Sequence, residues 1–104
     1  MASQVELLWW EGCPSSDEAH EMVRRAMADA GLDPGSLRSI EVATDDAAEQ
    51  QSFVGSPTIR VDGRDIQPPE DCEPVGLTCR VYHLRDGRIS PLPDPEDIKE
   101  ALST

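Results

Sequence analysis

Basic, aromatic and large apolar residues are all scarce in this sequence. Nine Lys and Arg residues stand against 21 Asp and Glu residues, a net charge of −12, and only four of the 104 residues are aromatic. Because a strongly acidic chain repels phosphate groups, we expect neither nucleic acid nor an anionic membrane as a partner. Leu, Ile, Val and Phe total 21 residues, which predicts a small core and excludes a barrel-sized enzyme fold.

Long apolar runs are absent as well. No run approaches the length of a membrane span, and the N-terminus lacks the basic stretch and apolar core of a signal peptide. Three cysteines, an odd number, argue against a secreted disulfide framework. We therefore expect a cytoplasmic protein that forms a single domain over residues 1–104, with its thiols kept for chemistry or for metal binding.

The clearest local patterns lie near the start of the chain. Residues 4–10 form a dense apolar stretch, which predicts a strand buried on both faces. Apolar residues from Ala19 to Ala30 recur at spacings of three and four, which predicts an amphipathic helix. Ser15 followed by Glu18 predicts a capping box at the start of that helix.

The remaining elements predict an α/β fold with a mixed sheet. Strands are expected at 37–43, 58–61, 64–66, 77–84 and around Ile89, and helices after the capping residues Thr44 and Asp94. The strand–helix alternation of the first half implies a parallel pair with a right-handed crossover, and the later hairpins are antiparallel. We predict a mixed sheet of about five strands with helices on both faces.

Cys13 occupies the most informative position among the candidate functional residues. It follows the first predicted strand and precedes the predicted helix, where unpaired N–H groups and the positive end of the helix dipole favour a thiolate. Pro14 suits the start of a helix, because its missing N–H would be unpaired there. The alternative is a small half-buried residue in a turn, and we predict a reactive thiol.

Two segments resemble the thioredoxin superfamily. Residues 12–16 (GCPSS) between a strand and a helix look like its active-site turn, and residues 54–58 (VGSPT) before a strand resemble its cis-proline loop. The chain also resembles small actinobacterial thioredoxin-like proteins, some of them labelled alkylmercury lyase, although no motif for cleaving a carbon–mercury bond is present. The resemblance implies a thioredoxin-like fold with Pro57 cis, facing the Cys13 sulfur. It also implies that the Ser56 backbone is free to pair with a bound peptide or thiol.

One position departs from the thioredoxin pattern. Ser16 stands where thioredoxins carry their second cysteine, and a mixed disulfide must be resolved by a second thiol. The chain therefore resembles monothiol members, which work with a small-molecule thiol or hold a partner. Ser16 is expected either to donate a hydrogen bond to the Cys13 thiolate or to help cap the helix.

The other cysteines leave several alternatives open. In the predicted strand 77–84, Cys79 shares a face with Val81 and His83, which predicts a buried core cysteine and a packed histidine. Cys79 or Cys72 could instead act as a resolving thiol. Three converging thiols, Cys13, Cys72 and Cys79, could also hold a soft metal such as mercury or copper(I).

The predicted catalytic residues are Cys13, Ser16, Pro57 and Cys79. No cofactor is predicted, and the expected partner is a thiol or disulfide, either protein or small molecule. An adaptor that keeps the fold without the chemistry is the third hypothesis. His20 lies off the apolar seam of its helix and is expected to be solvated. Of the paired tryptophans at 9 and 10, one is expected in the core and the other beside the Cys13 turn.

Overall fold

A computed structural model describes residues 4–67, 76–77 and 80–102. The strands are β1 (Val5–Trp9), β2 (Arg38–Glu41), β3 (Thr58–Val61), β4 (Arg64–Asp65), β5 (Tyr82–His83) and β6 (Ile89–Ser90). The helices are α1 (Ser16–Asp29), α2 (Asp45–Gln51) and α3 (Pro95–Leu102), with a short 3₁₀ turn at Pro34–Ser36. None of the helices in these ranges is both long enough and apolar enough to cross a bilayer.

The strands form a small α/β arrangement around a mixed sheet. Its order is β2-β1-β3-β4, in which β1 runs parallel to β2 and antiparallel to β3. The prediction of a mixed sheet with a parallel first pair is confirmed. Within the described residues four strands form this sheet, one fewer than the five or so predicted, and β5 pairs with β6 in a separate hairpin.

The two faces of the sheet carry separate apolar clusters. Helices α1 and α3 cover one face, where the buried residues are Val5, Leu7, Ala19, Val23, Ala26, Met27, Ile59, Val61, Ile98 and Leu102. The other face holds a smaller cluster of Leu8, Val42, Ala48 and Phe53, to which α2 contributes. Strand β1 is therefore apolar on both faces, as its sequence predicts.

Two of the three predicted helix caps are present. The Thr44 hydroxyl accepts from the Ala47 amide at 3.0 Å, and the Asp94 carboxylate accepts from the Glu96 amide at 3.0 Å. The predicted capping box at Ser15 is wrong, since its side chain makes no cap hydrogen bond. Ser15 already has helix-like dihedrals (φ −91°, ψ 0°), whereas a capping side chain needs the extended backbone that Thr44 adopts.

The predicted faces of the segment around β5 are inverted. Tyr82 is fully buried and Arg80 nearly so, whereas Val81 is 53% exposed and His83 is exposed. The prediction that His83 packs inside is therefore wrong. The physical reason is that Arg80 finds a carboxylate partner inside the protein, so the face with the larger and more polar side chains turns inward. Cys79, assigned to the opposite face, lies outside the described residues.

Candidate active site

Cys13 lies in the turn that joins the central strand β1 to helix α1. Its amide donates to the carbonyl oxygen of Trp10 at 3.0 Å, and its own carbonyl accepts from the Ser16 amide at 3.5 Å. These contacts form a tight turn that places Cys13 beside the first turn of α1. The residue is only 2% exposed, so its thiol is covered rather than presented to solvent.

The Cys13 thiol meets the cis-proline loop. Its Sγ donates to the carbonyl oxygen of Ser56 at 3.4 Å, across 43 positions of sequence. The Ser56-Pro57 peptide bond is cis, as the resemblance implied, and both residues are fully buried. Because a carbonyl oxygen can only accept, this contact is made by the protonated thiol.

The carbonyl oxygen of Ser56 is already hydrogen-bonded within the chain, whereas the resemblance implied a backbone free to pair with a ligand. Its carbonyl oxygen also accepts from the Arg80 amide at 2.8 Å, and its hydroxyl accepts from the Trp10 amide at 3.1 Å. Arg80 therefore occupies the place beside the thiol that was expected to receive a ligand. Arg80 was not expected here, because residues 77–84 were predicted as a sheet strand, whereas the Arg80 amide bonds to this loop.

Arg80 is fixed by its guanidinium group as well as by its backbone. It forms an ion pair with Asp65 at 2.7 Å, with side chains only 5% and 12% exposed, and donates to the carbonyl oxygen of Gln67. Its Cζ atom lies 4.6 Å from the centroid of the Tyr82 ring, a cation–π arrangement. The charge is thus buried together with a carboxylate and an aromatic face.

Tyr82 links this group to the proline. Its hydroxyl donates to the carbonyl oxygen of Pro57. Burial raises the pKa of the Tyr82 phenol above its usual range, so the hydroxyl stays protonated and remains a donor. The sequence analysis did not assign Arg80, Asp65 or Tyr82 to the site. The available signal was the alternation that places residues 80 and 82 on one face.

Gly55 explains how Arg80 approaches so closely. It has a φ of +146°, and a Cβ atom built on it would lie 2.8 Å from the Cβ and 2.9 Å from the backbone nitrogen of Arg80. That φ is disfavoured for any other residue, and the space is already filled. A glycine is therefore required where the Arg80 backbone crosses the cis-proline loop.

Ser16 contacts Cys13 through its backbone. Within the described ranges, its hydroxyl is not among the hydrogen-bond partners of the Cys13 sulfur, whose acceptor is Ser56. The Ser16 carbonyl accepts from Nδ1 of His20 at 2.7 Å. The predicted bond from the Ser16 hydroxyl to the sulfur is therefore not formed here, and Ser16 is instead the first residue of α1.

His20 is half-buried and hydrogen-bonded, so its prediction as a solvated residue is wrong. Nδ1 of His20 donates to the Ser16 carbonyl at 2.7 Å, and Nε2 is hydrogen-bonded to the Ser39 hydroxyl at 2.7 Å. Ser39 in turn accepts from Nε1 of Trp9 at 2.8 Å, and the Trp9 and His20 rings meet edge to face. These bonds connect the first turn of α1 to strands β1 and β2.

Both tryptophans are half-buried, on opposite faces of the sheet. Trp9 packs against the larger apolar cluster and Trp10 against the smaller one. The Trp10 ring also lies over Gly12, where an added Cβ atom would come within 2.5 Å of it. The prediction that one tryptophan lies beside the Cys13 turn therefore applies to Trp10.

The metal hypothesis concerns residues beyond the described ranges. Among the residues that the structure describes, no three His, Cys, Asp or Glu side chains are grouped as metal ligands, and Cys13 is a free thiol. Cys72 and Cys79 lie outside those residues, so a site that combines them with Cys13 stays a prediction.

Comparisons of the chain with protein-family models, with curated proteins and with solved structures gave no match. The interpretation of this site therefore depends on its geometry and on the sequence motifs.

Proposed function

We propose that this chain is a thioredoxin-like protein that performs thiol–disulfide exchange with Cys13 as its nucleophile. The observation that carries the proposal is the 3.4 Å contact between the Cys13 sulfur and the carbonyl that precedes the cis proline. The position of the thiol, after a central strand flanked by one parallel and one antiparallel neighbour and before a helix, supports a thioredoxin-like arrangement.

The proposed reaction has two exchange steps. The Cys13 thiol first loses its proton to solvent, and the thiolate attacks one sulfur of a disulfide, forming a mixed disulfide and releasing the other sulfur as a thiolate. A second thiolate then attacks the partner sulfur or Cys13 sulfur of the mixed disulfide. Attack on the partner sulfur regenerates Cys13, whereas attack on the Cys13 sulfur releases the partner in reduced form. No electrons are gained or lost overall, since each new S–S bond replaces an old one.

The second thiol comes either from a small molecule or from this chain. Ser16 cannot supply it, so the monothiol route with a small-molecule thiol is the simpler one. Cys79 is the internal candidate because it directly precedes Arg80 in the sequence. The Arg80 amide and the Cys13 sulfur donate to the same acceptor, the Ser56 carbonyl oxygen. A cytoplasmic setting, where free thiols persist, is compatible with either route.

The test is capture of a mixed disulfide on Cys13. The reduced protein is incubated with oxidised glutathione, and adducts are located by intact-mass and peptide mass spectrometry. We expect one glutathione on Cys13, absent from Cys13→Ser. In a variant with Cys72→Ser and Cys79→Ser the adduct should persist if the partner thiol is small, and a Cys13–Cys79 disulfide in the parent protein would assign Cys79 as the resolving thiol.

The unfolded protein is the control for this experiment. In urea, Cys13 is open to the reagent, so its reaction there shows that the reagent is competent. Absence of any Cys13 adduct in the folded protein, even after an incubation many times longer than the unfolded protein needs for full modification, would contradict the proposal. Tight binding of mercury or copper(I) without exchange would favour the metal alternative, and full biological activity of Cys13→Ser would favour the adaptor.

A further inference from the structure

The Cys13 thiol shares its hydrogen-bond acceptor with another residue of its own chain. Cys13 and Arg80 donate to the same carbonyl oxygen, that of Ser56, at 3.4 and 2.8 Å. A partner backbone that paired with this carbonyl would have to take the place of the Arg80 amide. We propose that Arg80 is an internal plug: it occupies the partner's position beside Cys13, and the thiol reacts only after Arg80 has moved away.

The contacts of Arg80 form a dedicated seat. Its backbone lies so close to Gly55 that no side chain would fit at position 55. Its guanidinium is paired with Asp65 and stacked on Tyr82. Backbone and side chain are thus both fixed beside the cis-proline loop, where Cys13 is only 2% exposed.

The same contacts allow Arg80 to leave. They are mostly polar. A guanidinium and a carboxylate both regain their hydration when they separate into water. The free energy of releasing Arg80 is therefore lower than that of withdrawing an apolar side chain from a core. Arg80 also lies in neither a helix nor a strand, and β5, which follows it, has only two residues. Its release therefore does not require a helix or a long strand to unfold.

The consequence for the proposed function concerns the choice of partner. This part of the inference depends on Cys13 being an exchange thiol. A disulfide partner must compete with Arg80 for the Ser56 carbonyl, so partners that offer a backbone amide in its place have an advantage over small disulfides. The control of thiol access itself does not depend on which reaction Cys13 performs.

The experiment measures how fast iodoacetamide modifies Cys13. The parent carries Cys72→Ser and Cys79→Ser, so that the mass increase reports Cys13 alone. We expect Arg80→Ala to accelerate labelling on the order of tenfold or more, because the population of the open state rises. Both variants keep the residue-80 amide; Asp65→Asn weakens the ion pair but also keeps the Arg80 side chain on the Tyr82 ring, so it should give an intermediate increase. Arg85→Ala is the matched control and should label at the parent rate.

Urea separates local release from global unfolding. For local release of Arg80, labelling of the parent protein is nearly independent of urea until the main unfolding transition, because little surface is exposed. This series also decides the matter if Arg80→Ala fails to fold. A parent labelling rate that follows global unfolding from the lowest urea concentrations, or equal rates in the parent, Arg80→Ala and Asp65→Asn, would overturn the proposal.

The two proposals fail in different ways. Faster labelling of Arg80→Ala with no glutathione adduct in any variant would retain the plug and remove the exchange function. Adduct formation and iodoacetamide labelling that proceed at the same rate in the parent and in Arg80→Ala would retain exchange and remove the plug.

Discussion

Two arginines in the C-terminal part of the chain form ion pairs, and their surroundings are opposite. Arg80 pairs with Asp65 beside the candidate site, with both side chains almost completely buried. Arg85 pairs with Asp97 and Glu100 of α3, where its own side chain is 49% exposed. The charge chemistry is the same in both places.

The difference between these regions is what water does when a contact is lost. At Arg85, water solvates the guanidinium when a carboxylate partner is lost, so an exposed ion pair contributes little to the free energy of unfolding. At Arg80, a lost partner leaves a charge inside the protein, which is strongly unfavourable. We therefore expect the buried region to control both stability and thiol access, and the exposed region to control neither.

Gly55→Ala should have the largest effect on stability, because it disrupts the contact between residue 55 and the Arg80 backbone. The new Cβ atom would overlap the Arg80 backbone and impose a φ of +146° on alanine. Backbone strain of about 1–3 kcal/mol and overpacking of similar size predict a loss near 4 kcal/mol in the free energy of unfolding. Urea denaturation followed by circular dichroism measures it.

Gly63→Ala is the control for this substitution. Gly63 also has a positive φ, +83°, but a Cβ atom there meets nothing within 4 Å. Alanine should therefore cost only the backbone preference, about 1 kcal/mol. Equal losses for the two variants would show that the close approach of Arg80 to Gly55 contributes nothing.

Asp65→Ala should follow, with a loss of about 3 kcal/mol, the lower end for a broken buried pair. The lower end applies because Arg80 keeps the Gln67 carbonyl and the Tyr82 ring as partners. Denaturation in urea measures the loss, and 1 M NaCl should leave it nearly unchanged, since a buried pair is poorly screened. A loss that vanished in salt would place this pair in the same class as Arg85.

The features that could be predicted from the sequence are those set by near neighbours. The two-faced strand β1, the helix α1 and the Thr44 cap follow from patterns a few residues long. The turn at Asp62-Gly63, which joins β3 to β4, is equally local. Each is decided by side-chain periodicity or by one backbone preference, so tertiary context had little to change.

The part of the site that escaped prediction depends on distant partners. Arg80 is buried because Asp65, 15 positions earlier, is there to pair with it, and because Gly55 leaves room. The alternation along 77–84 separates two faces. It does not predict which face turns inward when the more polar face can pair with a carboxylate elsewhere in the chain. The contact between Cys13 and the loop of the cis proline, made to the Ser56 carbonyl, could be predicted only through the thioredoxin resemblance and not from any local pattern.

Arg85→Ala should have a smaller effect than either variant of the buried region. The substitution removes ion pairs with Asp97 and Glu100, while the Arg85 amide keeps its bond to Asp94. We expect a slight loss of stability at low salt that disappears in 1 M NaCl, because exposed charges are screened. Thermal unfolding at the two salt concentrations measures it, and a loss that persisted in salt would remove the contrast with Asp65→Ala.

Asp94 provides the smallest expected effect and a pH test of the exposed region. The amides of Arg85 and Glu96, which donate to its carboxylate, lower the pKa of Asp94 in the folded protein. A lowered pKa means that the carboxylate stabilises the fold above its ordinary pKa, and that this contribution is lost as pH falls through the folded value. The midpoint temperature of thermal unfolding should therefore fall less steeply between about pH 5 and pH 3 in Asp94→Asn than in the parent.

The control for this measurement lies in the neighbouring turn. The pKa of Asp86 is also lowered, chiefly by the amide of Arg88, and its negative charge acts on Asp94. Asp86→Asn should therefore also reduce the slope, and the double variant should depart from the sum of the two reductions, because the two carboxylates interact. Because both carboxylates belong to the region around Arg85 and not to the contacts of Arg80, neither substitution should alter the labelling rate of Cys13 at neutral pH. A change in that rate would mean that Asp86 or Asp94, and not Arg80 alone, controls access to the thiol.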